Sequence, residues 1–131
     1  MSFIKVLIAD DHDILRFTVG RLIDSEKDMQ VVAEADNGMA AVQMAKNHNP
    51  DVVIMDLFMP RVNGIDATKM IKSEFPEIKV IALSSNSEEI FVEKMIAAGA
   101  SEYLDKVCPP KDLITCIRKV SAARRTTVAC M

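Results

Sequence analysis

Two hydrophobic periods alternate along this chain. Apolar runs at Ile4 to Ala9, Val52 to Met55 and Ile78 to Leu83 read as strands, with a further strand at Met29 to Ala35 and a short one at Ser101 to Asp105. Between them, apolar residues recur at spacings of three and four, which places them on one face of a helix. Leu15, Val19, Leu22 and Ile23 form such a face after Asp10-Asp11-His12-Asp13, on a helix that Gly20 weakens. Ala41, Met44 and Ala45 form the next, from about Gly38 until Asn49-Pro50 halts it. Thr68, Ile71 and Phe75 follow Gly64 and are stopped by Pro76. A fourth helix is expected to begin near Ser87, capped by the small polar run Ser84-Ser85-Asn86-Ser87 with Glu88 and Glu89 in its first turn. Val92, Met95 and Ile96 are its expected buried face, and Gly99 its end. Leu113, Ile114, Ile117 and Val120 follow Pro109-Pro110 on the last helix. Val52 to Met55 is apolar throughout and reads as a strand buried on both faces. Strand and helix thus alternate five times, which predicts an α/β class fold: a doubly wound five-stranded parallel sheet with right-handed crossovers.

The strand ends carry the chemistry. The run Val52 to Met55 stops abruptly at Asp56, and Pro60 with Asn63-Gly64 then forces a tight loop. That arrangement is expected to present Asp56 at the sheet edge rather than bury it. Asp10 and Asp11 follow the first strand, Ser84 the fourth and Lys106 the fifth. All lie on the carboxyl edge, where open α/β sheets bind ligands. Three carboxylates gathered there repel by about 4 kcal/mol per pair at 4 Å and an effective dielectric near 20, so the cluster calls for a cation. An all-oxygen donor set with an open coordination sphere suits Mg2+, with Mn2+ as a substitute. A lysine and a small hydroxyl opposite are suited to phosphoryl oxygens. The sum is a phosphoryl-transfer site.

Composition narrows the class. The 131 residues and 14.5 kDa fit one domain of ordinary size. A net charge of −3 supplies no basic field, so no direct nucleic acid contact by this chain is expected. No apolar run is long enough for a membrane span and none resembles a signal peptide, which predicts no membrane association and a cytoplasmic location. Cys108, Cys116 and Cys130 fit neither a metal site nor a disulfide framework and read as reduced thiols, with Cys130 the most reactive. His12 reads as a loop residue that is either solvent-facing or a modest charge balance rather than a phosphohistidine, and His48 as a cation at a helix C-terminus. The nine methionines read as core filler, and Arg124-Arg125 is too short a basic pair to argue for nucleic acid.

Asp10-Asp11 after the first strand, Asp56 within Met-Asp-Leu-Phe-Met-Pro-Arg-Val-Asn-Gly, Ser84, and Gly-Ala-Ser-Glu-Tyr-Leu-Asp-Lys ending at Lys106 resemble the receiver domain of two-component response regulators. The resemblance covers nearly the whole chain, with a receiver at 1–124 and a C-terminal tail at 125–131. It implies a flavodoxin-like fold with strand order 2-1-3-4-5, and a phosphoacceptor at Asp56 served by a histidine kinase or histidine phosphotransfer protein. It further implies direct Mg2+ ligands in Asp11, Asp56 and the backbone carbonyl of Phe58, with Asp10 acting through a water. Ser84 and Lys106 would hold phosphoryl oxygens, and Ser84 and Tyr103 would form a switch. The family's readout surface, the fourth helix, fifth strand and fifth helix, falls here around Phe91, Lys94, Tyr103 and Lys119, and a homodimer through it is part of the expectation. The domain would be its own substrate rather than a turnover enzyme.

The wording Asp-Asp-His near the start and Met-Pro-x-x-Asn-Gly in the middle resembles the subgroup with a helix-turn-helix output. Where many receivers place proline directly after the lysine, this chain has Val107-Cys108-Pro109-Pro110. Phe58 and Asn86, two residues beyond Asp56 and Ser84, occupy positions that in the family flank hydrolytic water. Apolar Phe58 implies a long-lived phosphoform. Two other classes share parts of this pattern. A haloacid-dehalogenase-like phosphatase also uses aspartate, Mg2+, hydroxyl and lysine, but opens on an Asp-x-Asp motif that the first strand lacks. A flavodoxin-like cofactor binder would need a phosphate loop where the acidic pair stands.

Overall fold

The structure is a computed structural model that describes residues 3–129, with side chains as far as residue 122. Ten elements alternate along the chain: β1 (Ile4–Ala9), α1 (Asp13–Asp24), β2 (Met29–Ala35), α2 (Gly38–His48), β3 (Val52–Met55), α3 (Gly64–Glu74), β4 (Lys79–Ser84), α4 (Glu89–Ala98), β5 (Glu102–Asp105) and α5 (Pro110–Ala129). All strand pairings are parallel, in the order β2-β1-β3-β4-β5. This is the expected doubly wound sheet, with the switch in strand order falling between β1 and β3. α5 continues into the stretch read as a tail, and Cys130 lies outside the described residues.

Successive strand residues face opposite sides, which is why the strands needed no polar alternation. Val6, Ile8, Ile54, Ile81 and Leu83 pack with Val19 and Ile23 of α1 and with Leu113, Ile114 and Ile117 of α5. Leu7, Ala9, Val53, Met55, Val80 and Ala82 pack on the other side with Ala41, Ala45, Ala67, Ile71 and Met95 of α2, α3 and α4. Each core side chain of leucine or isoleucine size contributes about 1.5–3 kcal/mol by leaving water, and the two layers together bury both faces of the sheet.

Two expectations about α4 fail. Ile96 is 47% exposed rather than packed beneath the helix, and the buried positions are Met95 and Ala98. Ile90, Phe91, Val92, Met95 and Ile96 run round more than one face, so periodicity alone selects no unique stripe. Nor do the preceding serines cap it: Glu88 is the N-cap residue and makes no side-chain cap hydrogen bond. Instead the segment folds into its own turns, with Ser84 Oγ accepting from the Asn86 amide at 3.1 Å and Asn86 Oδ1 accepting from the Glu88 amide at 2.9 Å.

The loop after β3 is clamped from two sides. A Cβ on Gly64 would lie 1.9 Å from the Asp56 carbonyl oxygen, and one on Gly38 would lie 1.8 Å from that of Val62. Gly64 also donates its amide to Leu57 O at 2.7 Å, while Asn63 caps α3 by accepting from the Asp66 amide at 2.9 Å. Arg61, with φ 72°, takes the left-handed position in this loop. Gly64→Ala should therefore cost about 2–3 kcal/mol in urea unfolding, because the clashing atoms are backbone and cannot rotate away. A stability within about 0.5 kcal/mol of wild type, the usual range for an unconstrained surface site, would contradict this clamp.

Candidate functional site

The strand ends converge as the sequence indicates. Asp10 takes its place when its amide donates to Ala35 O at 3.0 Å, and Asp56 when its amide donates to Ala9 O at 2.9 Å. Lys106 donates its amide to Ser84 O at 3.0 Å, which brings the loop after β5 over the same edge. These three backbone bonds extend the ladder one step past the strands. They set Asp56, the acidic pair and the lysine side by side.

One oxygen or nitrogen from each of Asp10, Asp11, His12 and Asp56 lies within 4.8 Å of the others. Lys106 Nζ stands 3.0 Å from Asp10 Oδ2 and 3.3 Å from Asp56 Oδ1. Ser84 is fully buried at the end of β4, inside the strand rather than beyond it. Phe58 lies half exposed at the rim, its ring edge-on to Phe91 of α4 at 5.2 Å between centroids. Tyr103 is turned toward the core on the α4 side and donates its hydroxyl to Asn86 O. The residue that bonds Ser84 thus also bonds Tyr103, so one turn joins the two expected switch residues.

Asp56 departs from expectation in one respect. It stands at the sheet edge but is only 3% exposed, because the clamped loop folds back over it. Its Oδ2 is buried with no hydrogen-bond partner among the described residues. Burial first, and repulsion from Asp10 second, push its carboxyl up to about 6 from an ordinary 3.8, against the pull of Lys106. A buried carboxylate oxygen with no proton to accept, beside two further carboxylates, is a donor set that fits a hard divalent cation.

The sequence reading missed two participants. His12 is 65% exposed at its side chain as expected, yet its Nδ1 lies 2.9 Å from Asp10 Oδ1, 3.3 Å from Asp11 Oδ1 and 3.3 Å from Lys106 Nζ. Its place immediately after the acidic pair was the signal. Arg16 donates to Asp10 O at 2.7 Å and to Asp13 and Glu34, fixing the acidic loop from behind. Cys108 and Cys116 take no part in this cluster: Cys116 is buried and pushed up to about 11, first by burial, and Cys108 is raised by burial as well. No helix among the described residues is long and apolar enough to cross a membrane.

Comparison with known proteins agrees with this architecture. The family model described as the response regulator receiver domain matches residues 6–118. The transcriptional regulatory protein DegU of Brevibacillus brevis is 37% identical over 118 residues, which is 90% of this chain and 50% of DegU. The chain therefore spans half the length of that relative. Among solved structures, the response regulator domain of Thermotoga maritima CheB superposes with a TM-score of 0.86 at 34% identity, covering 92% of this chain and 97% of that one. A LuxR-family two-component response regulator from Aurantimonas sp. SI85-9A1 superposes with a TM-score of 0.88 at 32% identity, over 94% of this chain and 88% of that one. These matches select the receiver over the phosphatase and the cofactor binder that share parts of its pattern. With its fold, the carboxyl-edge cluster and the family model all in agreement, the chain belongs to the receiver domains of two-component response regulators.

Proposed function

We propose that Asp56 is the phosphoacceptor, and that a histidine kinase or histidine phosphotransfer protein is the donor. The observation that carries this reading is the buried, unpartnered Asp56 Oδ2 beside Asp10 and Asp11, with Lys106 Nζ 3.3 Å from the other oxygen. A carboxylate oxygen of Asp56 attacks the phosphorus in line, and the P–N bond to the donor imidazole breaks. The electron pair leaves on that nitrogen, which takes up a proton. Lys106 and Ser84 hold the phosphoryl oxygens as charge develops on them. Asp11, Asp56 and the Phe58 carbonyl would hold Mg2+, or Mn2+, with Asp10 acting through water. Once bound, the ion neutralises charge on the reacting oxygens.

The product is an acyl phosphate, which adds charge and three strong acceptors where one carboxylate stood. Ser84 Oγ is drawn toward them, and the Asn86 turn that it shares with Tyr103 then moves as a unit. The readout is the face of α4, β5 and α5. Ile90 and Ile96, exposed at 49% and 47%, give that face apolar area for a partner or a second copy of this chain. The output that this surface governs is transcriptional control of the kind named in DegU, through a helix-turn-helix module. The chain's net charge of −3 supports no nucleic acid contact of its own. Borohydride reduction after phosphoramidate treatment should convert residue 56 alone to homoserine. Conversion at another aspartate would contradict the assignment.

Phe58 covers the rim of this site without offering a group that could orient water. Phe58→Glu should therefore shorten the lifetime of the phosphoform about tenfold, toward the range that one positioned base contributes. Following the loss of the added phosphoryl mass after removal of the donor checks this. An unchanged lifetime with unchanged Mg2+ affinity would contradict it.

A further inference from the structure

We propose that His12 gives the cation site an imidazole nitrogen, so that the site takes borderline transition ions as well as Mg2+. The inference rests on the cation site described above and concerns its chemical class. His12 precedes α1 as its N-cap residue, in extended conformation with φ −91° and ψ 104°. Its amide donates to Asp10 Oδ1 at 2.9 Å, which fixes the backbone and turns the ring back over the acidic pair. Nδ1 then lies 2.9 Å from Asp10 Oδ1 and 3.3 Å from Asp11 Oδ1. It belongs to the same 4.8 Å cluster as the Asp56 carboxylate.

The proton inventory of that cluster favours a cation. Nδ1 also lies 3.3 Å from Lys106 Nζ, a group that can only donate. In the tautomer that accepts from the lysine, the Nδ1 lone pair faces carboxylate oxygens with no proton between them. In the other tautomer, the ring N–H opposes the ammonium. Either way one contact is unfavourable, and Asp56 Oδ2 stays without a partner. A cation among these atoms converts the imidazole nitrogen and the carboxylate oxygens into ligands together. Oxygen donors alone suit Mg2+, whereas an added imidazole raises affinity along the order Mn2+, Co2+, Ni2+. The exposed ring can swing onto or away from an ion without disturbing the core.

The test uses the whole chain loaded with Mn2+ and examined by pulsed electron paramagnetic resonance for coupling to 14N. The chain has two histidines, so His48→Ala serves as the control. Wild type and His48→Ala should show imidazole 14N coupling, and His12→Ala should lose it. In calorimetric titrations, His12→Ala should weaken Co2+ at least about tenfold, the scale on which tuning a ligand shell acts, and leave Mg2+ within about twofold. Absence of nitrogen coupling in wild type, its persistence in His12→Ala, or an equal loss for Co2+ and Mg2+ would each overturn the proposal. Asp11→Asn separates the two levels of the argument. If it abolishes Mn2+ and Mg2+ binding while wild type shows no nitrogen coupling, the acidic site stands and the role of His12 is refuted. If Asp11→Asn binds both ions as wild type does, the acidic site itself is refuted.

Discussion

Asp56→Asn should raise the stability of the metal-free domain at neutral pH and flatten its pH profile between about pH 4 and pH 6. The Asp56 carboxyl stands at about 6 in the folded chain against an ordinary 3.8, chiefly through burial and then through Asp10. A raised carboxyl binds its proton more tightly when folded than when unfolded. Its contribution is therefore favourable at low pH and is lost as pH rises from about 4 through about 6, with a ceiling of about 3 kcal/mol. Asparagine keeps an oxygen for Lys106 and replaces the unpartnered, repelled one with a donor. Allowing for relaxation, the expected gain is about 1–3 kcal/mol above pH 7, or roughly 3–10 °C in Tm. Mg2+ at a hundredfold its Kd should stabilise wild type by about 2.7 kcal/mol and the variant far less. Thermal melts from pH 4 to pH 8 with and without Mg2+ check both halves. Identical pH profiles for the two proteins would contradict the electrostatic account.

Lys106→Met should slow phosphorylation by acetyl phosphate about 10²–10³-fold, the range observed when one preorganised donor to a developing oxyanion is removed. Lys106 is the cation that touches both Asp10 and Asp56, at 3.0 and 3.3 Å, with its side chain only 11% exposed. Methionine keeps the length of the stem and deletes the charge. Without the ammonium the three carboxylates repel unchecked, so the residual proton affinity of Asp56 should rise further. Lys106→Arg should not restore the rate, because a planar fork does not replace a compact point charge at this depth. The initial rate of mass gain at saturating Mg2+ measures the effect. A rate within about threefold of wild type would remove Lys106 from the transfer step.

The alternation of periods made the fold legible, since β1, β3 and β4 are largely continuous apolar runs and four of five helices carry one clear stripe. α4 was the exception, because its apolar residues surround the helix and only packing decides that Met95 is buried while Ile96 is not. Asp10, Asp56, Ser84 and Lys106 could be gathered at one edge from strand order alone. Their burial could not. That of Asp56 goes with the loop after β3, where Gly64 and Gly38 let backbone approach backbone, a tertiary contact with no local signature. The serines before α4 satisfied the local rule for a cap, but Ser84 Oγ accepts from the Asn86 amide and Ser87 Oγ donates to Asp105, while Asn86 itself accepts from the Glu88 amide. His12 looked like an ordinary loop histidine because its exposure is high and Asp56 and Lys106 reach it only from two other segments of the chain.

Intact-mass measurement of the purified chain with acetyl phosphate tests most directly whether residue 56 carries phosphate. Wild type should gain one phosphoryl group, about 80 Da, when Mg2+ is present and none when it is chelated, while Asp56→Ala should gain none in either condition. Equal gain by Asp56→Ala, or no gain by wild type under Mg2+, would contradict the account.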